Sequence, residues 1–246
     1  ATGELKTKPT QHSVKSLLEN GVQPDILILR TEHKIPQEVR NKVSLFCNVD
    51  NESVIESIDV STIYEVPVLM QKERLDRIAL RKLGLKSSDT ELELKDWNTF
   101  LNKLKNPAEK VKIGLVGKYV ELPDAYKSIS EALIHAGAMN DCHIDIELIH
   151  SEDIFNNNIQ DEFKGLHGIL VAPGFGHRGI EGKIAAVKFA RQNNIPFLGI
   201  CLGMQCAVIE FGRNILGLSS AHSTEMHRTT SHPVIDIMEE QKDITD

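Results

Sequence analysis

The stretch Pro196-Phe-Leu-Gly-Ile-Cys-Leu-Gly-Met-Gln205 constrains this chain more than any other. It reads as a short apolar strand, a sharp turn carrying one cysteine, and the first turn of a helix. Gly199 and Gly203 flank Cys201 at minus and plus two. That is the spacing of a G-x-S-x-G nucleophile elbow, with sulfur in place of the hydroxyl. Side chains two residues from such a bend collide, so glycine is favoured at both places. The sulfur then meets the positive end of the following helix, which raises its thiolate fraction. The next backbone N–H groups point the same way and suit an oxyanion. The plain alternative is a cysteine buried at a strand end, since free cysteine is among the most buried residue types. The paired glycines and the polar Gln205 favour the nucleophile.

A chain of 246 residues is long enough for two ordinary domains. Its net charge of −7 gives no basic field for nucleic acid or for an anionic membrane. The sequence has no run of eighteen apolar residues, and no signal peptide is expected. Cys47, Cys142, Cys201 and Cys206 form no C-x-x-C and no zinc spacing. A reducing, cytoplasmic setting is expected. The chain starts at Ala1 and stops in the polar Asp243-Ile-Thr-Asp246, and both ends are expected to be cuts.

Lys6, Thr7, Lys8, Pro9, Thr10 and Gln11 put two cations, two hydroxyls and an amide in six residues. Such a set suits a phosphate chain, although composition alone favours a solvated basic loop. Thr10 is expected to cap a helix carrying Val14, Leu17 and Leu18 and ending at Gly21. Residues 25–29 are too apolar for an exposed edge and are expected to form a buried strand. Pro36 opens a second helix through Val39, Val43 and Phe46, with Lys42 on it. Another strand is expected over 53–60. Strand and helix alternation means a parallel α/β layer. Residues 86–110 read as a linker, polar and acidic at first. A helix with Trp97, Leu101 and Leu104 follows, Trp97 being a packing anchor.

The second domain opens with a strand at Val111–Val116. Gly114-x-x-Gly117-Lys118 fails as a phosphate loop, which needs four residues between the glycines and a hydroxyl after the lysine. A helix over 124–136 is expected from an Asp124 cap. Strands at 144–149 and 168–172, a helix at 181–191 and the elbow complete a doubly wound pattern. Gly174-Phe-Gly-His-Arg-Gly179 satisfies G-x-G-x-x-G, yet the strand that follows ends in Cys201 where a dinucleotide site needs an acid. Parallel strands bring both loops to one carboxyl edge. The N–H of Gly174 or Phe175 can then join that of Leu202 as an oxyanion hole.

With Pro173-Gly-Phe-Gly176 upstream, the elbow resembles a class I glutamine amidotransferase domain. Lys6-Thr-Lys-Pro-Thr-Gln11, Gln23-Pro-Asp-Ile26, Phe46-Cys-Asn-Val49, Val116-Gly-Lys-Tyr-Val120, Glu121-Leu-Pro-Asp-Ala-Tyr-Lys127 and Gly174-Phe-Gly-x-Arg-Gly179 together resemble the CTP synthase family. The resemblance covers the whole chain. It implies an α/β protein of two domains, each a mostly parallel sheet with flanking helices. Residues 1–85 are the later part of a P-loop-type synthetase domain, 86–110 the linker, and 111–246 a truncated class I glutaminase.

The family makes CTP from UTP with ATP as cosubstrate and Mg2+ as metal, using ammonia from glutamine. The resemblance implies Cys201 as nucleophile, and Gly174, Leu202, Gly203, Met204, Gln205 and Glu225 for glutamine. It implies Lys6 to Gln11 and Lys42 for the UTP or CTP triphosphate, and Val60 for ATP. It further implies GTP as activator, a homotetramer, no organic prosthetic group, and metal ligands outside this chain. The family's pocket arginine and the His-x-Glu pair that activates its cysteine are expected beyond Asp246. The histidines after the elbow (His222, His227, His232) show no His-x-Glu, and His150-Ser-Glu152 falls on the wrong side of it. Ala172-Pro173-Gly174 replaces the family's usual Pro-Gly-Gly, with Gly174 kept. Two other readings stay open: another class I amidotransferase or a cysteine hydrolase of similar fold, and a catalytically incomplete binding or assembly fragment.

Overall fold

The structure, a computed structural model, describes residues 5–86, 93–122, 124–154 and 158–238. The chain divides into two compact units, residues 1–101 and 102–246. The division falls inside the stretch read as a linker, whose acidic residues 87–92 lie outside the described residues.

In the first unit, α1 (Lys8–Glu19) precedes β1 (Leu27–Thr31), α2 (Gln37–Cys47), β2 (Val54–Ile58), α3 (Val66–Lys72) and α4 (Leu75–Lys82). α1 starts two residues before the expected Thr10 cap. Pro9 sits in its first turn, where the missing N–H costs nothing and the fixed φ suits a helix. β1 and β2 pair in parallel, from Leu27 with Val54 to Thr31 with Ile58. Leu27 and Leu29 pack with Val14, Val43, Cys47, Val49 and Val54. Ile28 points the other way and is 53% exposed. β1 is therefore covered on one face only among the described residues, not buried on both as its composition implied. Phe46 is likewise exposed while Cys47 turns inward. α5 (Lys95–Lys105) carries Trp97, whose Nε1 donates to Tyr64 O at 2.8 Å within a cluster completed by Phe100.

In the second unit, β3 (Glu109–Gly117), α6 (Lys127–Met139), β4 (Cys142–His150), the short α7 (Ile159–Glu162), β5 (Gly168–Val171), α8 (Ile180–Gln192), β6 (Phe197–Gly199) and α9 (Leu202–Asn214) alternate. β7 (Ala221–Ser223) and β8 (His232–Ile235) add a small parallel pair. The main sheet runs β4-β3-β5-β6, all parallel. Side chains alternate across it. Ile169 and Val171 pack with α8 and α9, while Leu170 packs with Tyr126, Ile129 and Leu133 on the α6 side. The chain winds outward from β3 to β4, then back past β3 to β5. The loops leaving β3 and β5 therefore diverge at the carboxyl edge, the position where doubly wound sheets form ligand crevices.

Candidate active site

Cys201 stands between β6 and α9 with φ 52° and ψ −106°. L residues rarely hold this conformation, and it costs about 1–3 kcal/mol. The bend is sustained by close packing on both sides. A Cβ on Gly199 would lie 2.6 Å from Met204 N, and one on Gly203 would lie 2.9 Å from the Val171 carbonyl carbon. Only glycine lets β6, α9 and β5 approach this closely. The bend leaves Cys201 exposed, whereas Cys47 and Cys206 are buried. Burial pushes the Cys206 thiol up to about 11, so it is a neutral core group at pH 7.

At the start of α9, Gly203 N–H bonds Ile200 O and Gln205 N–H bonds Cys201 O. No hydrogen bond within the described residues takes the Leu202 N–H, nor the N–H groups of Gly174 and Phe175. The two sets lie together: a Cβ on Gly174 would sit 3.5 Å from Leu202 Cδ2. The loop after β5 and the elbow after β6 are therefore neighbours, with Gly174 packed against the Leu202 side chain next to the exposed Cys201 in the chain.

Two lysines hold that loop from within. Lys183, on α8 and wholly buried, donates from Nζ to Ala172 O at 2.9 Å. Lys118, just after β3 and 5% exposed, donates from Nζ to Phe175 O. Lys118 thus ties the β3 edge to the β5 loop, which is an internal use of a residue whose spacing had invited a phosphate reading. Its own backbone is fixed by Tyr126, whose hydroxyl accepts from Lys118 N–H at 2.9 Å and from Tyr119 N–H at 3.3 Å. For this reason α6 begins at Lys127 rather than following an Asp124 cap: Tyr126 turns inward as its N-terminal flank. The reading of the residues singled out neither Lys183 nor Tyr126. Lys183 had a signal, for Ile180, Lys183, Val187 and Ala190 share one helical stripe that is otherwise apolar.

The remaining candidates fall at different places. Leu202 and Gly203 are buried, Met204 is 52% exposed, and Gln205 Oε1 is buried with no hydrogen-bond partner among the described residues. Glu225 is exposed on the turn after β7, its N–H bonded to Ser223 Oγ at 3.3 Å. Among the described residues no histidine is bonded to Cys201. His222 stacks on His227, 4.0 Å from Glu181, with burial lowering its pKa. His150 faces Glu121 at 3.5 Å and Glu152 at 3.9 Å.

In the first unit, Lys6, Thr7, Pro9 and Thr10 line a cavity of about 390 Å³ beside β1. Lys8 begins α1, and Gln11 turns back to donate to Thr7 Oγ1 at 3.2 Å. Lys42 is exposed on α2 and Val60 follows β2, both outside that cavity lining. Among the described residues no group of three or more His, Cys, Asp or Glu side chains fits a metal ion, and no helix is long and apolar enough to cross a membrane.

Residues 1–85 match the family described as CTP synthase N-terminus, and residues 121–244 match glutamine amidotransferase class-I. CTP synthase of Cytophaga hutchinsonii is 65% identical over 245 residues, which is 100% of this chain and 45% of that protein. CTP synthase of Flavobacterium psychrophilum is 62% identical over 246 residues, 100% of this chain and 46% of its own length. The chain thus spans a little under half the length of these curated relatives. A solved structure of the Trypanosoma brucei CTPS glutaminase domain with bound acivicin matches with a TM-score of 0.51 and 39% identity, covering 54% of this chain and 52% of that one.

Proposed function

Because this chain belongs to the CTP synthase family, we propose that its second unit is the glutamine-hydrolysing part of a CTP synthase and that Cys201 is the nucleophile. The single observation that carries this is the exposed Cys201 at the glycine-flanked elbow, with the Gly174 loop packed against Leu202.

In this reading the Cys201 thiolate attacks the side-chain amide carbon of glutamine. A sulfur–carbon bond forms, and the carbonyl electrons move onto oxygen, where Leu202 and Gly174 N–H donate to them. Collapse breaks the carbon–nitrogen bond, and the nitrogen takes up a proton and leaves as ammonia. Water then cleaves the glutamyl thioester and regenerates the thiol. Gln205 Oε1, a buried acceptor with no partner among the described residues, receives a donor of the bound glutamine. Glu225 pairs with its α-ammonium, which needs an anion.

For the whole protein the proposal is ATP-dependent amination of UTP to CTP with that ammonia, by a cytoplasmic homotetramer activated by GTP. Lys6 to Gln11 and Lys42 serve the pyrimidine triphosphate, and Val60 serves ATP. The described residues do not fit a magnesium site, so no step is derived through the metal. The test is Cys201→Ala in the whole protein. It removes glutamine-supported CTP formation and keeps ammonia-supported CTP formation. Glutamine use retained by that variant refutes the role of Cys201.

A further inference from the structure

In the first unit a cavity of about 760 Å³ is walled by Arg40 of α2, Lys72 of α3, and Arg74, Arg77 and Arg81 along α4, with two acids, Glu52 and Glu73, among its lining. Both acids are already engaged. Glu73 accepts from Arg40 at 2.7 and 3.1 Å and from Glu56 N–H at 3.1 Å. Glu52 pairs with Arg81 at 2.8 Å. Lys72, Arg74 and Arg77 have no ion pair or side-chain hydrogen bond among the described residues. Asp76, between the two arginines in the chain, lies outside the lining. Stability does not account for these cations. Arg74, Arg77 and Arg81 follow one another at three and four residues, so like charges share one face of α4, which weakens a helix. Arg74 also holds φ 58°, a left-handed conformation that suits glycine and strains an arginine. Strain kept at a charged side chain that lines a cavity points to function.

We propose that this cavity binds a compact polyphosphate, a small anion of linked phosphate groups, through Lys72, Arg74 and Arg77. Guanidinium forks meet phosphate oxygens in pairs, and an ammonium adds a point charge. The three unengaged cations are matched by a ligand of about three negative charges, which also relieves the repulsion along α4. The cavity falls within the range of small-molecule sites, about 300–1,000 Å³, which favours a small anion over an acidic protein segment. It shares no lining residue with the cavity of Lys6, Thr7, Pro9 and Thr10. The proposal is independent of the role given to Cys201.

The test is arginine modification by phenylglyoxal in the whole protein, mapped by mass spectrometry with and without inorganic tripolyphosphate. Tripolyphosphate is expected to protect Arg74 and Arg77 and to leave the exposed Arg228 reactive. Arg74→Gly relieves the left-handed strain, so the melting temperature holds or rises, yet the tripolyphosphate concentration that protects Arg77 increases about 10-fold. Lys72→Gln increases it likewise while keeping both arginines as reporters. A nucleoside triphosphate distinguishes the sources: protection at the same concentration assigns the site to the phosphate chain alone, and protection at a far lower one assigns it to a nucleotide. Equal protection by sulfate at matched ionic strength overturns the proposal. So does protection by polyglutamate but not by tripolyphosphate, or protection of Arg77 that Arg74→Gly leaves unchanged.

Discussion

Gly199 faces the first turn of α9 so closely that an added Cβ would stand 2.6 Å from the backbone nitrogen of Met204. That clash is with backbone, which cannot rotate away as a side chain can. Gly199→Ala therefore forces β6 and α9 apart and costs about 1–3 kcal/mol, read by chemical denaturation. The same shift moves Leu202 N–H relative to Gly174, so modification of Cys201 by a glutamine-mimicking electrophile slows more than the stability loss alone explains.

Tyr126→Phe removes one oxygen and leaves two backbone donors, Lys118 N–H and Tyr119 N–H, without their acceptor. Unmet buried donors cost about 1–3 kcal/mol. The expected result is a lower denaturation midpoint with an unchanged m-value. Amide hydrogen exchange at Lys118 and Tyr119 rises selectively.

Glu210 on α9 is 1% exposed and accepts three hydrogen bonds from Arg191 at the end of α8. Removing the cation strands a buried carboxylate. Arg191→Met is expected to destabilise the second unit, and adding Glu210→Gln to recover much of the loss. A double-mutant cycle measures the coupling.

Arg40 and Glu73 in the first unit form a two-pronged pair at 2.7 and 3.1 Å. The hydrogen bonds from Arg40 are the leading cause that lowers the Glu73 pKa from 4.5. A carboxylate held lower in the folded state adds stability above its unfolded pKa, and this is lost as pH falls through the folded one. Stability of the first unit is therefore flat above about pH 5 with respect to this group and declines below 4.5. Glu73→Gln lowers stability at pH 7 and flattens the acid limb, which denaturation series at pH 7 and pH 4 check.

How much of this was legible depended on how local the cause was. The glycines around Cys201 answer steric demands within five residues, so spacing alone announced the bend. α1 starts three residues earlier than a Thr10 cap implies, because Thr7 is its N-terminal flank and Pro9 suits its first turn. β1 read as buried on both faces because apolar composition does not reveal which faces of a two-stranded layer are covered. Lys183 went unnoticed although it lies on an apolar stripe, since its acceptor, Ala172 O, belongs to another element. Tyr126 falls in the first turn of the helix expected over 124–136, whereas its hydroxyl serves a turn eight residues earlier.

The most direct measurement is mass-spectrometric mapping of this chain after reaction with a glutamine-mimicking electrophile, with and without excess glutamine. Cys201 is expected to be modified ahead of Cys47, Cys142 and Cys206, faster than by a simple alkylating agent of equal reactivity, and to be protected by glutamine. Modification that follows exposure alone, with no preference for the mimic and no protection, would contradict Cys201 as the glutaminase nucleophile.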